Sequence, residues 1–154
     1  MEERQFLGYR LLSNGRMVVS EKSVERIQNK VRILTQRNRG VRLEQAISEL
    51  NQTLRGWGNY FHLTQWPSDL RNLDSWIKRK LRCYRLKQRK KSWPIAKFLI
   101  NLGVPADSAW SLARSGKGWW RLSWSIPVQH AMTNKWFEEQ GLINLLRATN
   151  LLKT

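Results

Sequence analysis

Between Leu70 and Tyr84 the apolar residues Leu70, Leu73, Ile77, Leu81 and Tyr84 recur at steps of three and four, a spacing that keeps them on one side of a helix. Arg71, Lys78, Arg82, Arg85 and Arg89 step the same way along a neighbouring stripe. The pattern predicts one long helix after the break at Pro67, capped by Ser68 or Asp69, with one face to pack and another to meet phosphate. Upstream, Val24, Ile27, Val31 and Leu34 predict a first helix, capped by Ser20 or Ser23 and ended by Arg37-Asn38-Arg39-Gly40, with Lys22, Arg26 and Lys30 as its basic stripe. A second helix starts near Leu43 and carries Leu43, Ala46, Ile47, Leu50, Leu54, Trp57 and Phe61 on one face. Gly56 and Gly58 interrupt it. Each weakens an exposed helix by about 1 kcal/mol relative to alanine, so close backbone packing or a bend is expected there. Three such helices in succession predict a compact bundle.

The two ends read differently. Phe6-Leu7-Gly8-Tyr9-Arg10-Leu11-Leu12, then Ser13-Asn14-Gly15 and Arg16-Met17-Val18-Val19, predict a β-hairpin turning at Asn-Gly. An isolated hairpin is marginal in water, so it must lean on these helices or on a sheet outside the chain. After Lys91, Ser92-Trp93-Pro94 reads as a short joint, Pro94 to Leu102 as a brief helix stopped by Gly103 and Pro105, and Asp107 to Arg114 as another. Ser115 to Arg121 reads as a loop of glycines, base and aromatics. From Pro127 a helix is expected to run to Gln140, with Gly141 as its C-cap and Leu142, Ile143, Leu145 and Leu146 on a last apolar turn. The fold class is therefore mainly α: an N-terminal β-hairpin, a three-helix bundle and a small helical C-terminal subdomain.

Composition supplies a core and a partner class. With 154 residues, 41% of them hydrophobic, the chain can bury a real core as one domain or two small subdomains. The formal charge is +17 and the sequence pI about 11.1, which favours a polyanion. Nucleic acid is the first candidate and an anionic membrane surface the competitor. No apolar run approaches bilayer-spanning length, and Met1-Glu2-Glu3-Arg4-Gln5 is no signal peptide, so a soluble, non-secreted protein is expected. Cys83 is the sole cysteine, which rules out an internal disulfide and fits a reducing interior. Charge is densest from Arg71 to Lys91, where ten bases, Lys80, Lys87, Lys90 and Lys91 among them, face one acid, Asp74. A merely solvated helix would interleave acids with its bases.

Catalytic constellations are not apparent. The carboxylates are scattered, mostly at predicted helix starts or turns, where they favour the helix dipole. His62 and His130 have no second ligand at metal spacing, and Gly116-Lys117-Gly118 is too short for a phosphate loop, so neither metal nor cofactor is expected. Binding has more support, because Lys and Arg neutralise phosphates while Arg, Trp and Tyr planes stack on unpaired bases. That combination suits structured RNA better than lipid. Most of the nine tryptophans should nonetheless be core; Trp57, Tyr60, Trp66, Trp76 and Tyr84 sit at bundle-core spacings.

Leu54-Arg55-Gly56-Trp57-Gly58-Asn59-Tyr60-Phe61, followed by Leu73-Asp74-Ser75-Trp76-Ile77-Lys78-Arg79-Lys80-Leu81-Arg82 and the basic tail Tyr84 to Lys91, resembles the maturase-specific domain of group II intron reverse transcriptases. The likeness extends through Ala113 to Arg121, similar to a Ser-x-Lys-Gly-x-Trp-Arg element of those proteins, and through Asn134 to Leu146. Phe6-Leu7-Gly8-Tyr9 looks like the strand that closes their polymerase palm. The resemblance implies a palm-end hairpin at 1–19, a helical thumb (domain X) at 20–91 and a DNA-binding-like segment at 92–154.

The implied partner is group II intron RNA, which the protein would help to fold and splice while the ribozyme performs the phosphoryl transfers. Arg71, Lys78, Arg79, Arg82, Arg85 and Arg89 would hold RNA backbone, with Lys87, Lys90, Lys91, Lys22, Arg26 and Lys30 adding to the basic surface. Lys117, Trp119 and Arg121 would contact RNA or target DNA. The family's Tyr-x-Asp-Asp polymerase signature is missing from these residues, as is a His-Asn-His endonuclease tail, so the chain alone is expected neither to polymerise nor to cut. Its setting would be bacterial cytoplasm or an organellar matrix. Two rivals stand beside this reading: the thumb fragment of an RNA-directed DNA polymerase holding a primer and template duplex, and a basic module binding DNA or anionic lipid without regard to sequence.

Overall fold

The computed structural model describes residues 4–6, 9–11, 17–19, 21–60 and 67–145, with backbone alone for the first three stretches, for 58–60 and for 67–69. The described chain is mainly helical. At the N-terminus three short strands, β1 (Arg4–Phe6), β2 (Tyr9–Leu11) and β3 (Met17–Val19), pair antiparallel in the order β1-β2-β3, with Phe6 opposite Tyr9 and Leu11 opposite Met17. The Asn14-Gly15 turn on which the hairpin expectation rested lies outside the described residues.

Helix α1 (Glu21–Leu34) buries Ile27, Val31 and Leu34 of the predicted stripe, while Val24 is half-buried. It begins before Ser23, which is buried inside the helix and is not its cap; Ser20 lies outside the described residues. Arg39 closes its C-terminus by donating from Nη1 to the Leu34 carbonyl at 2.7 Å, and Gly40 turns the chain with φ +72°. Helix α2 (Leu43–Tyr60) buries Leu43, Ala46, Ile47, Leu50 and Leu54 against the partner face of α3 (Pro67–Arg89), where Leu70, Leu73, Ile77, Leu81 and Tyr84 are all buried. The Tyr84 hydroxyl and the Gln88 amide both donate to the Val41 carbonyl, which ties the α1–α2 connection to α3. Gly56 departs from expectation. A Cβ placed on it would meet nothing within 4 Å, so neither close packing nor a left-handed backbone accounts for it. The side chains of 58–60 and residues 61–66 lie outside the description.

Beyond α3 the chain turns at Lys90, a non-glycine residue at φ +58°, and enters α4 (Ser92–Asn101) at once. The joint is therefore Lys90-Lys91. Ser92-Trp93-Pro94, expected to be that joint, forms the first turn of α4, where a proline costs no hydrogen bond because the first amides of a helix are unpaired anyway. Helix α5 (Ala106–Ala113) folds back on α4. The segment expected to be loop through Arg121 contains a short helix, α6 (Trp119–Leu122), which lies on α3. The single helix expected from Pro127 to Gln140 is two, α7 (Ile126–Ala131) and α8 (Asn134–Glu139). Thr133 explains the break: its hydroxyl accepts from the Trp136 amide at 3.1 Å, starting a new helix in place of extending the old one.

One cluster of buried residues joins these elements, from Ile27 in α1 through Leu81 and Leu99 to Phe137 and Leu145. Asn51, 8% exposed, helps to fasten the far end: its Nδ2 donates to the Gly141 carbonyl at 2.7 Å and its Oδ1 accepts from the Ile143 amide at 3.0 Å.

Two stability measurements check this account. Asn51→Ala strands both backbone groups and should lower unfolding free energy by about 1–3 kcal/mol in urea titrations. Gly56→Ala should raise it by roughly 0.5–1 kcal/mol, since helix propensity improves and no atom is displaced; a loss would mean the site is crowded after all.

Candidate nucleic-acid interface

The basic side chains from Arg71 to Lys91, on α3 and at the corner after it, divide into an inward set and an outward set. Lys78 is 7% exposed and ion-paired through Nζ to Asp74 Oδ2 at 2.7 Å, one helical turn back. Arg82 is equally buried; its Nε donates to the Met132 carbonyl at 2.9 Å and its guanidinium lies 5.3 Å from the Phe137 ring centre. Burial depresses its pKa, with Asp74 pulling the other way. Arg79 stands 3.9 Å from the Trp120 ring centre and 5.2 Å from that of Trp124, and donates to the Trp120 carbonyl at 3.0 Å and to Ser123 Oγ at 3.3 Å. Arg85 and Arg89 share the Phe98 ring, at 5.1 and 5.0 Å. The Arg85 guanidinium is also shifted down, first by burial and then by Arg89.

Part of the stripe expected to meet phosphate thus meets the later helices: Arg82, Arg85 and Arg89 lie against Met132, Phe137 and Phe98, Lys78 is buried beside Asp74, and Arg71 is exposed. Helical spacing correctly put them on one side but could not say what covers it. Guanidinium groups stand over aromatic rings at 3.9–5.3 Å from the ring centres, so cations serve here as docking groups.

The outward set comprises Arg71, Lys90 and Lys91, all exposed, with Lys87 half-buried. Lys22, Arg26 and Lys30 are exposed along α1 at intervals of four. Lys117 and Arg121 come together with Ser108, Ser111, Ser115 and Trp124 around a cleft of about 420 Å³. Trp119, expected to act beside them, lines a different cavity of about 650 Å³ together with Arg32, Arg37, Lys80 and Lys87. Arg32, Arg37 and Lys80 were not among the candidate contact residues, although Lys80 was counted in the basic run and Arg37 in the stop of the first helix. The available signal was the spacing Trp76, Lys80, Cys83, Lys87, a second face of the same helix. Trp76 is half-buried and has two cations against it, Arg32 at 5.3 Å and Lys80 at 5.9 Å; Trp57 is half-buried and Tyr84 buried, while Tyr60 and Trp66 lie outside the described side chains.

Cys83 lies in this region, with Arg37 Nη1 3.7 Å from its sulfur. Burial pushes the thiol pKa up, and the nearby Arg37, Lys80 and Arg79 offset this in part. Among the described residues no group of three or more His, Cys, Asp or Glu could hold a metal ion, and no helix is long and apolar enough to cross a membrane.

The described residues form a helical module with arginines held against aromatic rings and many exposed cations. Residues 24–99, which run from α1 into α4, match the family described as group II intron, maturase-specific domain. The likenesses noted at Phe6 to Tyr9 and from Ala113 onward fall outside the matched residues. A comparison with curated proteins finds no match.

The raised Cys83 pKa gives a pH test. The unfolded thiol ionises near 9.0 and the folded one higher, so the stabilisation is complete below about pH 9 and is lost as pH climbs through the folded value. In urea titrations from pH 7 to 10, wild type should lose stability relative to Cys83→Ala above pH 9; parallel curves would contradict this placement of the thiol. Arg79→Ala should cost about 1–3 kcal/mol and shift the Trp120 and Trp124 indole resonances; unmoved indole signals would show that the clamp does not persist in solution.

Proposed function

We propose that this protein binds group II intron RNA and assists its folding and splicing, contributing binding surface and no bond chemistry. In this reading the unit at 20–91 faces RNA and the helices from 92 onward buttress it, with the Lys117 and Arg121 cleft as an additional contact for RNA or target DNA.

The observation that carries the proposal is an excess of exposed, unneutralised cations on a maturase-specific domain. Lys22, Arg26 and Lys30 on α1, Arg71 on α3 and Lys90 and Lys91 at the α3–α4 corner all reach solvent. Among the described residues Arg39 pairs with Glu49 and Lys78 with Asp74, and neither ion pair involves these six. Lys and Arg that neutralise phosphates release counterions, so such a surface binds in a strongly salt-dependent way. Positions and register on a folded RNA come from backbone and 2′-hydroxyl contacts, for which flexible cations on rigid helices are well suited. The buried arginines support the same reading indirectly, because they hold the outward-facing helices in fixed relation.

Filter retention at moderate salt should favour group II intron RNA over a length-matched scrambled RNA. Replacing Lys22, Arg26 and Lys30 together by glutamine should lower the log-log salt slope by roughly one unit for each lost phosphate contact. Equal retention of the two RNAs would reduce the protein to a general polyanion binder.

A further inference from the structure

The cavity of about 650 Å³ between the end of α1, the middle of α3 and the start of α6 has an unusual lining. Arg32, Arg37, Lys80 and Lys87 contribute four cations, Gln36 and Asn38 contribute exposed amides, Trp119 contributes an indole wall, and no carboxylate takes part. Four like charges around one hollow repel one another. The Lys80 ammonium is destabilised first by burial and then by Arg37 and Arg32, with the Cys83 sulfur acting the other way. Arg32 and Lys80 are held by ring contacts, Arg32 with Trp76 and Lys80 with Trp76 and with Trp120 at 5.6 Å. Arg37 is steadied by the Cys83 sulfur. Among the described residues, no hydrogen bond or ion pair occupies the Lys87 ammonium.

Such a hollow asks for an anion. Its size also exceeds what a bare phosphate would fill, and lies within the usual 300–1,000 Å³ range of small-ligand sites. An aromatic wall beside cations accommodates a base next to its phosphate, and unpaired bases are the ones free to leave a stack and lie on an indole. The flanking amides of Gln36 and Asn38 carry both donors and acceptors, the chemistry that reads base edges.

We propose that this cavity is a subsite for one unpaired ribonucleotide, its phosphate held among Arg32, Arg37, Lys80 and Lys87 and its base resting on Trp119. The proposal rests on the RNA-binding reading above and adds to it a place where a bulged or looped-out nucleotide docks, separate from the exposed cations of α1. It also gives the α6 helix a reason to lie on α3, since Trp119 closes the cavity from the C-terminal segment.

The test uses the full chain with adenosine 5′-monophosphate and inorganic phosphate as probes, followed by nuclear magnetic resonance of the indole N–H groups and the lysine side chains. Adenosine 5′-monophosphate should shift the Trp119 indole and the Lys80 ammonium saturably, while inorganic phosphate shifts Lys80 and leaves Trp119 largely unmoved. Arg37→Gln with Lys87→Gln should weaken the nucleotide roughly tenfold or more, and reduce the salt slope for an RNA hairpin carrying one bulged nucleotide by about two. Lys135→Gln, an exposed change on α8, should alter neither. Lys87→Gln alone serves if the double variant fails to fold, as judged by its circular dichroism. Absence of any Trp119 response, identical responses to both probes, or unchanged nucleotide affinity in the folded variants overturns the subsite. Those outcomes leave intron binding by α1 standing, whereas loss of intron preference with the Trp119 response intact strikes the functional reading and spares the subsite.

Discussion

A guanidinium taken out of water must be met by acceptors and by surface that tolerates charge, and the fit of α3 to the C-terminal helices depends on that requirement being satisfied. Arg82 finds the Met132 carbonyl and the Phe137 ring, and Arg79 finds Ser123, the Trp120 carbonyl and two indoles. Removing the partner of a buried charge is far more damaging than removing an exposed contact, so these interactions fix how α6, α7 and α8 sit. They also explain how a chain of formal charge +17 remains folded: part of its positive charge is neutralised or dispersed over aromatic rings inside the molecule. Exposed cations include those on α1, at the α3–α4 corner and around two hollows.

The helices of the first half were legible because their apolar residues repeat with a clear period. Ile27, Val31, Leu43, Ile47, Leu50, Leu54, Leu70, Ile77 and Leu81 could be assigned to a core from spacing alone, and each is buried. The C-terminal half was harder to read, since its helices are short and its boundaries are set by single residues. Thr133 splits one expected helix into two through one hydrogen bond, and Lys90 makes a left-handed corner where a glycine would normally be sought. Trp119 to Leu122 is a single turn whose placement comes from packing on α3, which no local pattern encodes.

The candidate site was legible in its chemistry and less so in its geometry. Basic residues could be counted in the sequence, but whether a given cation faces solvent or a neighbouring helix is decided by elements distant in the chain. Lys78 and Arg82 lie on the same stripe as Arg71, yet the first two are covered and the third is exposed. The cavity cations Arg32 and Arg37 follow or end α1, and they join Lys80 and Lys87 through folding alone. The family signature carried by Leu54 to Phe61 and Leu73 to Arg82 was the part of the functional reading that sequence could supply directly, and residues 24–99 match that family.

The central claim is that α3 turns some of its cations inward to hold the fold while others, with those of α1, face RNA. Ultraviolet cross-linking of the bound intron RNA, with the attached peptides mapped by mass spectrometry, tests it most directly. Adducts should fall on the segments around Lys22 to Lys30, Arg37 and Lys87 to Lys91 and spare Lys78 and Arg82. Adducts concentrated at Lys78 and Arg82 would contradict the account, because both side chains are buried and Arg82 could reach RNA only by leaving Met132 and Phe137.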